Sequence, residues 1–290
     1  MSLTILDGGM GQELVARTKA APTGLWSTQI MIDEPDLVRS VHDDYFAAGA
    51  EIATVNSYAI HRDRLEPAGV ADKFEQLHQL ACELACQSRD AHGSGLVAGS
   101  LGPLGWSYSH DGAPEPDVTE ERYAEICKIQ SRYVDVFLIE TIASIEKARG
   151  ALAGALGHGK PVWLALTVDD NDGSRLRSGE PLDALLNALR GNTPQVLLLN
   201  CSLPEAITQG LKVLKKTNIP LGAYANGFTG ISEAFLKKGS TVSALSSRTD
   251  LTPSAYADFA GNWLDLGASI VGGCCEIGPA HIAELARRFA

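Results

Sequence analysis

Two hydrophobic rhythms take turns along the chain. Short apolar runs of strand length fall at 4–7, 51–55, 96–99, 135–139, 162–167, 196–201, 221–225 and 269–272. Between several of them, apolar residues recur three and four positions apart, the spacing of a helix with one buried face. The spacing predicts helices from near Gln12, over 35–48 (Leu37, Val38, Val41, Tyr45 and Phe46 on one side), and over 70–92, 120–132, 145–156 and 204–216. Another follows Pro279 to the end of the chain. Eight strands alternating with helices predict an α/β chain folded as a single (β/α)8 TIM barrel over residues 1–290, not an open doubly wound sheet.

In such a barrel the C-terminal strand ends and the loops leaving them form the functional face. The polar residues predicted there are Asp7, Asn56, Ser57, Glu140, Thr141, Asn200, Cys201, Asn226, Cys274 and Cys275. The glycine-rich exit at 100–106, the polar, proline-containing stretch up to Pro116 and the charged stretch 169–180 are expected to pass over the mouth. Alternate strands feed one interior layer, so strands two, four, six and eight bring Asn56, Glu140, Cys201 and the Cys274–Cys275 pair to one height.

A single cysteine at a strand end is most often a small buried hydrophobe. Three converging on one mouth imply a metal, and three thiolates suit zinc with an open fourth position. The competing reading, a vicinal Cys274–Cys275 disulfide, is strained and disfavoured in a reducing compartment. Cys82 and Cys86, four apart on a predicted helix, and Cys127 on another, read as packing residues. His42, His61, His78 and His92 lack metal-ligand spacing and read as surface or packing residues. Asp7 and Glu140 each end an apolar run in a charge, and buried carboxylates are rare unless paired. Either could cap the following helix, but two facing one metal-bearing cavity suit a cationic group such as an α-ammonium.

Charge and composition narrow the partners. With 24 Lys and Arg against 35 Asp and Glu the formal charge is −11, which argues against nucleic acid or an anionic membrane. No apolar run approaches the roughly 18 residues of a membrane span. No basic and apolar leader opens the chain, and six cysteines without one fit a cytoplasmic protein with free or metal-bound thiols.

The motifs Asp7-Gly8-Gly9-Met10-Gly11, Leu25-Trp26-Ser27, Asn56-Ser57-Tyr58, Gly99-Ser100-Leu101-Gly102-Pro103, Ile139-Glu140-Thr141, Asn200-Cys201 and Gly272-Gly273-Cys274-Cys275 together resemble the zinc-dependent homocysteine S-methyltransferase family. The resemblance runs from the first strand to the last, and its specific part is the separated Asn-Cys and Gly-Gly-Cys-Cys pair. It implies a Zn2+ ion on Cys201, Cys274 and Cys275 that takes the homocysteine thiol. It places Asp7 and Glu140 in the catalytic set, holding the ammonium group, with Trp26, Asn56, Tyr58, Ser100 and Asn200 completing the substrate-binding set. Trp26-Ser27 and a chain occupied by one barrel look most like the branch using S-methylmethionine or S-adenosylmethionine as a small onium donor. Trp26, Tyr58, Trp106 and Tyr108 are the aromatic faces such a cation would seek. The stretches 106–116 and 225–227 depart from that branch's pattern. Betaine-, corrinoid- or folate-dependent methylation, or a non-catalytic zinc or redox-sensing barrel, are the alternatives. Schiff-base chemistry is disfavoured, since no lysine ends a strand.

Overall fold

Every predicted apolar run contains a strand: β1 (Thr4–Ile5), β2 (Ile52–Thr54), β3 (Leu96–Leu101), β4 (Val136–Ile142), β5 (Val162–Leu166), β6 (Val196–Asn200), β7 (Leu221–Tyr224) and β8 (Ala268–Val271). In the computed structural model, which describes residues 3–19, 23–110, 114–189, 191–232, 235–236 and 244–290, all neighbouring strands pair in parallel. Their order is β1-β8-β7-β6-β5-β4-β3-β2. A parallel bridge from Leu6 to Ile52 joins the two ends, with the Leu6 N–H donating to Val271 O and the Asp7 N–H to Ile52 O. The sheet is thereby a (β/α)8 barrel.

Around it lie α1 (Met10–Arg17), α2 (Ser27–Asp33), α3 (Pro35–Ala47), α4 (Arg62–Leu65), α5 (Phe74–His92), α6 (Pro116–Gln130), α7 (Ile145–Ala155), α8 (Leu182–Ala188), α9 (Pro204–Leu214), α10 (Pro253–Asp265) and α11 (Pro279–Phe289). Two helix starts move by four residues: the helix expected from Val70 starts at Phe74, after a 3-10 turn over Ala71–Lys73, and the helix expected from Glu120 starts at Pro116. Proline's fixed φ and missing N–H suit a first helical turn, so the residue expected to end the mouth excursion opens the helix instead. Residues 111–113 of that excursion lie outside those described. Helices α2 and α8, seven residues each, are two turns long and too short to show a period.

Two apolar shells sit on the two faces of the sheet. Ile52, Ala98, Leu138, Ala165, Leu198 and Ile270 fill the barrel, with Trp163 packed against them. Phe137, Ile139, Leu197 and Leu199 face the helices. This alternation fixes parity at the strand ends. Glu140 and Asn200 continue the inward series, whereas Thr141 and Cys201 fall on the outward one. Cys82 and Cys127 are buried in the outer shell and Cys86 packs against it; His42, His61 and His78 are buried as well. Among the described residues no helix is long and apolar enough to cross a membrane.

Candidate metal and substrate site at the barrel mouth

Cys201 follows β6 on the outward parity, and its φ of 47° turns the side chain back over the barrel axis. That left-handed conformation is costly for a residue with a Cβ. Its N–H donates to Tyr224 O (3.1 Å). The Cys274–Cys275 pair leaves β8 through Gly272 and Gly273. There the Gly273 N–H donates to Asp7 O and the Cys274 N–H to Ala225 O, both at 2.9 Å. The Tyr256 hydroxyl donates to Gly272 O (2.6 Å) and accepts from the Ala225 N–H (3.0 Å), tying β7 to β8 beneath the thiols. Gly9 lets the chain after β1 press against this turn: a Cβ there would lie 2.5 Å from Cys274 O.

The three sulfurs lie within 4.8 Å of one another. Cys274 Sγ is 2.8 Å from Cys201 Sγ, and Cys275 Sγ is 4.0 Å from it. All three are free thiols. The Tyr108 hydroxyl, 2.9 Å from Cys201 Sγ, adds a fourth polar contact. Burial opposes ionisation of Cys201, but hydrogen bonds from Cys274, Cys275 and Tyr108 hold its thiol well below the usual range. Cys274 and Cys275 are pushed up, first by the shared contact with that sulfur. Three close thiols cannot all shed their protons without a cation. A soft, all-sulfur donor set with no competing carboxylate fits a metal ion, and three protein ligands leave a tetrahedral centre one position open.

Two carboxylates stand beside the thiols. Asp7 accepts the Thr54 N–H (2.6 Å) and the Thr54 hydroxyl (2.7 Å). Glu140 accepts the Ser100 hydroxyl (2.5 Å) and the Tyr224 hydroxyl (3.2 Å). Burial raises Asp7 to about 7 against the opposing Thr54 hydrogen bonds. Burial likewise raises Glu140 to about 7, with repulsion from Asp7 adding to it. Both carboxyls therefore sit poised for a cation that would favour their charged forms.

The cleft is lined by Asp7, Trp26, Asn56, Tyr58, Ser100, Glu140, Cys201, Cys274 and Cys275, so nearly every residue expected from the sequence meets in one place. Asn200 is the exception. It is fully buried and outside the lining; its Oδ1 accepts the Thr141 N–H (3.1 Å) and its Nδ2 donates to Thr141 Oγ1 (3.0 Å). Thr141 is left-handed at φ 58°, so the Asn200 amide pins the strained residue that follows Glu140. Ser57 and Asn226, also strand-end residues, are buried outside the lining. Ser57 donates to Ser100 O (2.8 Å), and Asn226 Oδ1 accepts the Phe228 N–H (3.2 Å).

Trp26, Tyr58, Trp106 and Tyr108 all line the cleft, but three of the four faces already carry an arginine of this chain. Arg64 lies over Tyr58 (5.7 Å) and Trp106 (5.8 Å), and Arg177 over Tyr108 (4.9 Å). Trp26 keeps its face; it packs edge-on to Tyr58 with centroids 6.4 Å apart, and its indole N–H is buried with no partner among the described residues. Sequence reasoning missed Thr54, Tyr224 and the thiol contact of Tyr108. Thr54 and Tyr224 are the last residues of their strands, so position alone marked them. Tyr108 is brought in by a loop and carries no comparable signal.

The homocysteine S-methyltransferase family model matches residues 4–289. The chain is 30% identical to the homocysteine S-methyltransferase of Escherichia coli, covering 99% of this chain and 95% of that protein. It is 27% identical to the homocysteine S-methyltransferase YbgG of Bacillus subtilis, covering 98% and 93% respectively. The solved homocysteine methyltransferase MmuM of E. coli, in its metallated form, superposes with a TM-score of 0.83 at 26% identity, over 99% of this chain and 96% of that one. The chain belongs to the homocysteine S-methyltransferase family.

Proposed function

We propose that this family member methylates homocysteine to methionine, taking the methyl group from a small onium donor, S-methylmethionine or S-adenosylmethionine, with Cys201, Cys274 and Cys275 as ligands of a zinc ion. One observation carries the reading: three sulfurs within 4.8 Å open onto a cleft that also holds two buried carboxylates. When bound, zinc supplies the Lewis acidity that keeps an incoming homocysteine thiol deprotonated near neutral pH.

The chain's own residues supply the rest. Asp7 and Glu140 receive the homocysteine ammonium, whose charge favours their ionised forms. Thr54 holds one carboxylate in place, and Ser100 and Tyr224 the other. Asn56, whose Nδ2 donates to Ser27 O (3.3 Å), fixes the segment after Trp26 against β2's exit. Trp26 and Tyr58 wall the donor side and exclude water. Transfer then needs sulfur, methyl carbon and leaving sulfur in line, which is largely a matter of positioning. A new S–CH3 bond forms on homocysteine, the donor's C–S bond breaks with its electron pair returning to sulfonium sulfur, and the thiol proton goes to solvent.

The test is methionine formation by the purified protein from homocysteine with S-methylmethionine, S-adenosylmethionine, betaine or methylated folate, alongside metal analysis. Turnover with an onium donor and stoichiometric zinc are the expected results. Turnover with methylated folate alone would overturn the donor assignment, and full activity in metal-free protein would overturn the zinc assignment.

A further inference from the structure

The mouth has two electrostatic poles, and only the acidic one is used by the reading above. Asp7 and Glu140 form it. At the other pole stands Arg64, which lines the same cleft. The sequence places four arginines in the exits of strands two and five, and three of them are neutralised. Arg62 pairs with Glu125 (2.5 Å), Arg175 with Asp172 (3.3 Å) and Arg177 with Asp170 (2.9 Å). Arg64 has no carboxylate partner among the described residues. Its Nε donates to Gly105 O (3.2 Å) and its Nη2 to Pro103 O (3.4 Å), which orient the guanidinium without cancelling its charge. Tyr58 and Trp106 flank it with their rings. Two of five N–H donors are so used, and the remainder can serve a planar anion.

We propose that Arg64 selects the methyl donor by binding a carboxylate on it. The inference rests on the onium-donor reading and deepens it. If homocysteine's ammonium occupies the acidic pole, a donor that is itself an amino acid must place its own carboxylate elsewhere. Among the described residues lining the cleft, Arg64 is a cation with no carboxylate pairing it. Tyr58 links the two ends of the site, carrying Arg64 over its ring and lining the same cleft as Cys201. A sulfonium near Trp26 with a carboxylate toward Arg64 answers two of the donor's three charges and leaves its α-ammonium toward solvent. One guanidinium matches one carboxylate; it does not make the basic groove that a polyglutamate tail would need. The sulfonium alone would find three of the four aromatic faces taken.

The experiment compares two donors that differ only in that carboxylate: S-methylmethionine and (3-aminopropyl)dimethylsulfonium. Steady-state kcat/KM is measured for each with the zinc-loaded wild type, Arg64→Ala and Arg64→Lys. The wild type is expected to prefer S-methylmethionine. Arg64→Ala should lower kcat/KM for it by about 10- to 100-fold, the range of a charge-assisted hydrogen bond, and should cost the carboxylate-free donor no more than about 3-fold on that same scale. Arg64→Lys, keeping the charge without the fork, should fall between. The KM for homocysteine should stay put. Equal losses with both donors would make Arg64 a brace for the 103–105 loop and overturn the proposal. So would a loss confined to homocysteine's KM, which would move the carboxylate contact to the acceptor. If S-adenosylmethionine is the donor that turns over, it and its decarboxylated form replace the pair; a wild type that turns over none of these sulfoniums defeats the onium reading itself, and the Arg64 assignment falls with it.

Discussion

The two sides of the barrel mouth are held by different means. On the acceptor side, Glu140 stands in β4, two residues before its end, and Cys201 and Cys274 stand just past the ends of β6 and β8. Their backbones are bonded into the barrel, and a buried amide and phenol, Asn200 and Tyr256, brace the turns behind them. On the donor side, Trp26, Trp106 and Tyr108 stand on loops and are held by neighbours far away in sequence. Arg177 lies on Tyr108 while its partner Asp170 accepts the Leu203 and Ile231 N–H groups (both 3.1 Å), gathering the exits of β6 and β7. Both sides carry strain. Thr141 and Cys201 on one, Trp26 and Tyr108 on the other, and Glu276 beside Cys275 are the described non-glycine residues with positive φ. Residues held in such conformations cost about 1–3 kcal/mol each and gather where function needs a fixed geometry. The difference between the sides lies in what over-determines them: sheet hydrogen bonds on the first, stacking and ion pairs on the second.

The largest effect should come from breaking the acceptor side at its thiols. Cys201→Ser and Cys274→Ser should each lose the metal and lower kcat by more than about 100-fold, since even outer partners of a metal site are worth 10- to 100-fold. Metal analysis of the purified variants checks this; zinc retained at full occupancy in both would refute the ligand assignment. Cys82→Ser, buried in the outer shell, should keep its metal.

Next in size is Glu140→Gln. An ammonium facing a buried carboxylate contributes about 1.5–3 kcal/mol, so the KM for homocysteine should rise about 10- to 150-fold with the metal retained. The unliganded protein should respond oppositely. Asp7 and Glu140 have folded-state pKa values raised to about 7. Between roughly pH 4.5 and 7 the folded chain therefore binds more protons than the unfolded one, and these two groups make stability fall as pH rises through that window. Removing one of them should raise the unliganded melting temperature at pH 7.5 by a few degrees and flatten its pH dependence. Below about pH 7 homocysteine binding to the wild type should weaken, because its ammonium must then displace protons. An unchanged KM would leave Glu140 a structural residue only.

How far all this could be read from the chain follows the same division. Parallel strands covered on both faces are continuous apolar runs, so all eight were legible, and a charge or thiol ending such a run marked Asp7, Glu140, Cys201 and Cys274. Depth at the strand end was the part that spacing did not encode. Asn200 sits next to Cys201 and shares the inward parity of Glu140, yet it is fully buried outside the cleft lining, holding Thr141. Arg64 was legible only as one of four loop arginines. What sets it apart is that no carboxylate among the described residues pairs with it, and no local spacing encodes that. Helix α6 began early because Pro116 reads equally as a loop residue or a first-turn residue.

Asn200→Ala tests whether the acceptor side depends on its hidden brace. It leaves the buried Thr141 N–H unsatisfied, a cost of about 1–3 kcal/mol, and frees the residue next to Glu140. The expected result is about a 10-fold drop in kcat/KM for homocysteine, a lower melting temperature and an unchanged metal content. A loss of stability with unaltered kinetics would make Asn200 a fold residue alone.

The smallest expected effect sharpens the donor side. Gly11 lies in α1 directly under the Trp26 ring, and a Cβ there would be 2.1 Å from the indole Cζ2. Gly11→Ala should therefore push the ring out of place. It should cost some stability, because alanine's better helix propensity, roughly 1 kcal/mol, offsets only part of the crowding. A cation over an aromatic face is worth about 0.5–2 kcal/mol, so Trp26→Ala should lower kcat/KM for the donor by about 2- to 30-fold, and Gly11→Ala should follow it with a milder loss. Trp163→Phe, which thins the packing inside the barrel, should cost stability and leave the donor kinetics nearly unchanged. Donor kinetics that ignore both Gly11→Ala and Trp26→Ala would take Trp26 out of the donor site, leaving Arg64 and Tyr58 as the contacts on that side to test.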